Sequence, residues 1–152
     1  MIVALRLFLV LALAALFGCA SPPKPTLIKG VVNAHPTVNP DARGRPSPIN
    51  VRVYALKSRA AFDSADFFSL YDKDKETLGP DLLDKEEMQL MPGANRTLEK
   101  QLPPEARHVG VIASFRDLEH AQWRMAVDIP PHQVSTLRIS LEKNKVTVVR
   151  EK

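Results

Sequence analysis

Apolar and polar residues alternate with a period of two along most of the chain beyond residue 26. This alternation is typical of strands that bury one face. It predicts eight strands, at residues 27–34, 49–56, 87–91, 96–102, 108–115, 122–129, 134–142 and 145–150. Most of them carry one polar face, as strands do in antiparallel sheets that pack on one side. The pattern therefore predicts a mainly β fold, a β-sandwich of antiparallel sheets.

Residues 58–71 interrupt the alternation, because their apolar side chains recur at helical spacing. Ser58 and Ser64 are candidate N-caps for this segment. A short helical insertion between the second and third strands is the simplest interpretation. In the preceding strand, at residues 49–56, Tyr54 is assigned to the polar face.

The first residues have the pattern of an export signal. Residues 7–17 form an unbroken apolar run of about 16 Å as a helix, roughly half of the hydrocarbon core of a bilayer. With Arg6 before it, this run predicts a secretory signal rather than a membrane-spanning helix. An ordinary signal peptide with a chance cysteine is one interpretation of its end. The other follows from Leu16-Phe17-Gly18-Cys19, which resembles the lipobox of bacterial lipoproteins.

The lipobox resemblance implies that the Cys19 thiol is alkylated with a diacylglycerol, that cleavage follows Gly18, and that the new amino terminus is acylated, as with palmitate. Bacterial lipoproteins retained in the inner membrane commonly have Asp after the cysteine, so Ala20 implies export to the outer membrane. The chain is thus divided into a lipoprotein signal peptide at residues 1–18, a lipidated, proline-rich tether at residues 19–26 and a β-sandwich domain at residues 27–152.

Composition changes this picture little. The single cysteine excludes an intramolecular disulfide and a cysteine-rich zinc site. The net charge of +4 includes Arg6, which the signal peptide would remove, so the basic balance is only a weak indication of an anionic partner. The basic residues also lack the clustering and aromatic interleaving of a nucleic-acid surface. We therefore predict no nucleic-acid partner.

Motifs for catalysis or metal binding are weak. The four histidines are scattered without H-E-x-x-H spacing, although His120 is near enough to Asp117 for an imidazole–carboxylate pair. Residues 72–83 resemble a calcium loop, but Thr77 replaces the required glycine and Leu83 the bidentate glutamate. A solvated acidic loop is expected there. There is no G-x-S-x-G elbow and no glycine-rich phosphate loop, so the residues favour no metal site, no cofactor and no catalytic site, although a Ser-His-Asp site could still assemble in space.

A long loop, at residues 35–47, joins the first two predicted strands. Hairpin connections usually have about two to five residues, and longer loops in compact domains tend to be functional or disordered. Three prolines stiffen this loop and lower the entropy cost of docking. Arg43 and Arg45 flank Gly44 and offer two planar guanidinium groups suited to carboxylates. On these residues alone, a binding loop and a solvated, irregular loop both remain open.

Six short motifs follow one another along the chain. They are VNPDARGRPSPI at 38–49, VRVY at 51–54, DFFSLY at 66–71, LGPDLL at 78–83, PG at 92–93 and ARHVGVIASFRD at 106–117. This ordered set resembles TssJ, the outer-membrane lipoprotein family of bacterial type VI secretion systems. The similarity runs from about Gly30 to Trp123 and covers most of the predicted domain.

The resemblance implies a transthyretin-like sandwich with extra helical elements and a structural role without catalysis. TssJ proteins anchor the secretion membrane complex to the outer membrane, face the periplasm and bind the periplasmic C-terminal region of the inner-membrane protein TssM. In the family, the loop between the first two strands takes part in that contact. Carried over to this chain, the expected partner-binding residues are His35, Val38, Asn39, Pro40, Asp41, Arg43, Gly44, Arg45 and Pro46.

Two other functions stay open on the sequence. A periplasm-facing lipoprotein that binds a small ligand or a glycan would need a concave pocket lined by aromatic side chains. A periplasmic hydrolase would need convergent polar groups with shifted pKa values. Neither arrangement has a sequence signal in this chain.

Overall fold

Eight strands form two four-stranded sheets in the computed structural model, which describes residues 24–151. The strands are β1 (Thr26–Ala34), β2 (Ile49–Leu56), β3 (Leu82–Leu90), β4 (Asn95–Leu102), β5 (His108–Ala113), β6 (Arg124–Asp128), β7 (Val134–Leu141) and β8 (Val146–Glu151). Between β2 and β3 lie the short helices α1 (Ala60–Ser64), α2 (Phe67–Asp72) and α3 (Asp74–Leu78), then a 3-10 turn at Gly79–Asp81. The predicted β-sandwich and the predicted position of the helical insertion are both confirmed.

The first sheet has the order β4-β1-β7-β8 and the second the order β3-β2-β5-β6. All strand pairs are antiparallel except β1 and β7, which run parallel. This exception differs from the expected antiparallel sheets. Its reason is the chain path: between β1 and β7 the chain visits the second sheet twice, so no hairpin fixes the direction of β7 relative to β1.

The main core lies between the two sheets and is built from buried inward residues of seven strands, with the partly buried Val127 of β6 packed against it. Alternation predicted this face correctly in β1, where Ile28, Val32 and Ala34 are buried. The strand begins at Thr26, one residue into the predicted tether. The proposed signal peptide, Cys19 and most of the tether lie outside the described residues.

β3 begins five residues earlier than the alternation predicted. The predicted strand left out residues 82–86, which contain three charged side chains. The backbone nevertheless pairs with β2 over its whole length, with an irregularity between Ala55 and Leu56. β3 is an edge strand, and charged residues are common on such strands.

The helical insertion covers the outer face of the second sheet and creates a second apolar cluster. Phe62, Leu70 and Leu78 pack there against Tyr54 and Ile112. The assignment of Tyr54 to a polar face is therefore wrong: its ring is fully buried, and its hydroxyl donates to the carbonyl of Leu70 at 3.2 Å. Burial raises the pKa of Tyr54 to about 12.

The helix caps also differ from the prediction. Asp66 caps α2, because its carboxylate accepts the backbone N–H of Ser69 at 2.9 Å. Ser64 is the last residue of α1 rather than a cap. The hydroxyl of Ser58 accepts the N–H of Ala60 at 3.3 Å, although Arg59 occupies the N-cap position.

Part of the acidic segment holds this insertion on the sheet. Asp74, the first residue of α3, is 7% exposed, and its carboxylate lies 2.6 Å from the ammonium of Lys85 and 3.9 Å from the guanidinium of Arg52. The expectation of a solvated acidic loop is therefore wrong at Asp74. Two cations compensate for its burial.

The strand directions give the sandwich two distinct ends. One end, which we call the tether pole, holds the start of β1 and the connections at residues 103–107 and 129–133. At this pole the imidazole of His132 is 2.9 Å from the carbonyl oxygen of Lys24. The opposite end, the loop pole, holds the connections at residues 35–48, 91–94, 114–123 and 142–145. Among the described helices, none has the length and apolar character needed to cross a bilayer.

Candidate functional site

The tip of the first loop is a small hairpin. The N–H of Asp41 donates to the carbonyl of Arg45 at 2.8 Å, and the N–H of Gly44 donates back to the carbonyl of Asp41 at 2.8 Å. Gly44 has a φ of +79°, the left-handed conformation that closes this kind of short turn and that glycine adopts without strain. The tip of the loop is therefore ordered, although residues 42–46 are exposed to solvent.

The Asp41 carboxylate organises this tip. One of its oxygens accepts the backbone N–H groups of Arg43 and Arg45, both at 2.9 Å, and the other accepts Nε of Arg45 at 2.8 Å. The hydrogen bonds from Arg45 hold the pKa of Asp41 below its ordinary value. The guanidinium group of Arg45 is therefore engaged within the loop, whereas that of Arg43 forms no ion pair with any described residue.

Asn39 fastens the first loop to two neighbouring loops. Its N–H donates to the carbonyl of Lys143 at 3.0 Å, its Nδ2 donates to the carbonyl of Pro48 at 2.8 Å, and its Oδ1 accepts the N–H of Arg116 at 2.8 Å. The residue is 4% exposed and has a φ of +50°, in the small left-handed region where asparagine is enriched. Through its side chain and its backbone N–H, this one residue thus joins the β1–β2, β5–β6 and β7–β8 connections.

The other predicted loop residues fall into two groups. Val38 is fully buried in the main core, so Val38 and Asn39 position the loop and do not offer their side chains to a partner. His35 and Pro46 are exposed, and Pro40 is half-buried. Of the predicted partner-binding residues, seven are exposed or half-buried and so can contact a partner: His35, Pro40, Asp41, Arg43, Gly44, Arg45 and Pro46.

Two further segments lie beside the first loop and were not selected from the sequence. Residues 115–117 and 143–144 face residues 39–42 across a groove of about 560 Å³. The bond from Arg116 to Asn39 spans 77 positions of the chain, and no local pattern signals such a contact. His120 and Asp117 form the predicted pair beside this groove at 2.8 Å, and Asp117 raises the pKa of His120.

Residues 24–151 contain no group of three or more His, Cys, Asp or Glu side chains placed to hold a metal ion. At the loop pole the side chains of Asn39 and Asp41 are hydrogen-bonded, whereas the buried hydroxyl of Ser114 has no hydrogen-bond partner among the described residues.

Replacing Asn39 with Ala should destabilise the protein by about 2–4 kcal/mol. The change leaves the carbonyl of Pro48 and the N–H of Arg116 without their partners, at about 1–3 kcal/mol each. Urea unfolding checks this value, with Asn95→Ala, an exposed site in β4, as the matched control. Equal stability of the two variants would contradict the role assigned to Asn39.

Comparisons with known proteins agree with this fold. The family described as "Type VI secretion lipoprotein, VasD, EvfM, TssJ, VC_A0113" matches residues 26–144. A comparison with curated protein sequences gives no match.

Solved structures of the same class are similar over most of their length. The type VI secretion lipoprotein TssJ1 from Pseudomonas aeruginosa is 38% identical, with a TM-score of 0.81 over 84% of this chain and 98% of that chain. Lip from Serratia marcescens, a membrane-bound component of the type VI secretion system, is 32% identical, with a TM-score of 0.75 over 81% of this chain and 96% of that chain.

A further match is to a chain in a structure described as "T6SS protein TssM C-terminal domain (869-1107) from EAEC". It is 26% identical, with a TM-score of 0.67 over 81% of this chain and 97% of that chain. The sandwich, the helical insertion and the family match together show that this chain belongs to the TssJ family of type VI secretion lipoproteins.

Proposed function

We propose that this protein is a docking module of the type VI secretion membrane complex. A lipid on Cys19 holds it at the periplasmic face of the outer membrane, and the first loop binds the periplasmic C-terminal region of a TssM protein. The role is structural and involves no catalytic step. The family supports the coarse part of this proposal, the lipobox-like sequence at residues 16–19 supports the anchor, and the geometry of the loop pole supports the docking role of the first loop.

The match with the TssM-labelled structure supports the choice of partner. Coverage of 81% of this chain and 97% of the matched chain makes the matched chain shorter than 152 residues, whereas the segment 869–1107 is longer than that. We therefore infer that the matched chain is a TssJ-like protein present together with the TssM segment. A direct contact between two such proteins is the simplest reason for their presence in one structure.

The observation that carries the proposal is the position of the preorganised first loop at the pole opposite to the tether. β1 has nine residues, so its two ends are about 30 Å apart. A chain anchored through residues before Lys24 thus has its tether pole next to the lipid and presents residues 35–48 away from it. A ready-formed hairpin tip also lowers the entropy cost of binding.

Shortening the tip should abolish co-purification with a soluble TssM C-terminal domain. In this variant, residues 41–45 are replaced by Asn-Gly, a two-residue turn that closes a hairpin. The change removes Arg43 and the Asp41–Arg45 pair but keeps Val38 and Asn39, which hold the base of the loop. Pull-down from detergent extracts measures the result.

A thermal unfolding curve close to that of the unchanged protein serves as the control for folding. The matched control variant is Lys57→Glu, which changes an exposed side chain at the tether pole. We expect this control to bind normally. Binding that survives removal of the tip would exclude the first loop as the docking element.

A further inference from the structure

We propose that the docking face extends beyond the first loop across Arg116 and Lys143, and that it takes an acidic, carboxylate-bearing segment of the partner. This inference rests on the proposed function and specifies the chemistry of the contact. It adds the β5–β6 and β7–β8 connections, which the sequence did not indicate, to the surface formed by residues 39–45.

The three connections form one continuous surface. Asn39 bonds to both neighbouring connections. Its side-chain Oδ1 accepts the N–H of Arg116 at 2.8 Å, and its backbone N–H donates to the carbonyl of Lys143 at 3.0 Å. The groove of about 560 Å³ runs between these same segments. A partner that contacts the tip of the first loop therefore lies directly beside Arg116 and Lys143.

Three cations on this surface have no partner within residues 24–151. The side chains of Arg43, Arg116 and Lys143 are exposed, and none of them forms an ion pair or a hydrogen bond to a described residue. The positive charge of Arg116 also contributes to the lowered pKa of Asp41, which indicates that its guanidinium group lies near the tip.

The acids of the groove, in contrast, already have partners. Asp41 is bound by the guanidinium of Arg45 at 2.8 Å, and Asp117 is bound by His120 at 2.8 Å. Two further acids are close in sequence but do not line the groove: Glu119 acts on His120, and Glu142 lines a different groove beside residues 33–36. The unsatisfied charge of the docking face is therefore positive, and guanidinium groups bind carboxylates with two parallel hydrogen bonds.

The expected effects follow from this charge pattern. Exposed ion pairs contribute little each, but placing an acid opposite a partner's acid adds repulsion and slows association. Arg116→Glu and Lys143→Glu should each weaken binding of the full-length, detergent-purified protein to a TssM C-terminal domain about tenfold. The double variant should weaken binding about 100-fold, and raising the salt from about 50 to 300 mM should weaken the unchanged protein more than the double variant.

Lys57→Glu is the matched control, because it reverses one exposed charge at the tether pole. It should change the dissociation constant less than twofold. Titration by fluorescence anisotropy measures the unchanged protein and the four charge variants, and circular dichroism confirms that each is folded.

The outcomes separate the two proposals. If the shortened tip loses binding while both charge reversals stay within twofold of Lys57→Glu, the extended acidic-partner face is wrong and the first-loop docking stands. If the shortened tip still binds, the first loop is not the docking element, and the extended face that is built on it is also wrong. If the unchanged protein does not bind the TssM domain at all, the docking function itself is wrong. Tighter binding of the Arg116→Glu variant would mean that the partner presents basic side chains, which also overturns the inference.

Discussion

A Cys19→Ser variant should disappear from the outer-membrane fraction of cells almost completely. Serine cannot form the thioether that carries the diacylglycerol, so this chain would lose its lipid. Each buried methylene contributes about 0.8 kcal/mol, and stable anchoring takes more than one acyl chain. The loss therefore removes essentially all of the expected affinity for the outer membrane. Separation of the two membranes on a density gradient, followed by immunoblotting, measures the result.

Ser21→Ala is the matched control, because it changes a neighbouring hydroxyl residue and leaves the thiol in place. This variant should stay in the outer-membrane fraction. Metabolic labelling with radioactive palmitate should mark the control and not Cys19→Ser. An unchanged outer-membrane level of the Cys19→Ser protein would show that lipid at this residue is not the anchor.

The largest effect on stability is expected from Gly30→Ala. Gly30 lies in β1, a central strand of the first sheet, beside Leu137 of β7. A Cβ atom at this position would overlap the carbonyl oxygen of Leu137 and lie 2.7 Å from its carbonyl carbon. Because backbone in the middle of a sheet cannot turn aside as a side chain does, the two strands must separate. A cost of more than about 3 kcal/mol follows, out of about 5–15 kcal/mol for a typical domain.

Thermal unfolding of the detergent-purified protein should show this loss as a Tm lower by about 10 °C or more. The control is Lys29→Ala in the same strand, where the side chain is exposed and pairs only with Glu99 on the surface at 2.9 Å. Such a pair contributes about 0–1 kcal/mol. If the two variants unfold together, the close approach of β1 and β7 is not a constraint on residue 30.

The strand pattern could be predicted because the alternation of side chains reports the inner face directly. β2 was predicted with its observed bounds, Ile49–Leu56, on this basis. The second face of β2 could not be predicted in the same way. Whether Tyr54 meets solvent or Phe62 depends on where the helical insertion folds back, and that path is set by contacts between distant segments. The parallel pairing of β1 with β7 was missed for the same reason.

At the loop pole, too, local features could be predicted from the sequence and tertiary contacts could not. The first loop stood out for its length, and the pairing of Asp41 with Arg45 is local, four positions apart. The sequence chemistry also selected Asn39, but the structure places its amide inside the loop pole, where it serves the fold. A contact between Asn39 and a partner stays a prediction, and with the side chain buried it would involve the backbone that Asn39 positions. Arg116 and Lys143 reach the same surface through tertiary contacts that leave no trace in the spacing of residues.

The proposed attachment of the lipid and the partner at opposite poles would also determine how the domain carries tension. β1 runs from one pole to the other and is hydrogen-bonded along both edges, to β4 and to β7. A pull between the tether and residues 35–48 acts along β1, nearly perpendicular to the bonds of both ladders. The bonds are then sheared together instead of opening one after another. β1, the strand that links the tether to the first loop, is thus held in the sheet by two ladders that resist its being pulled out along its own axis.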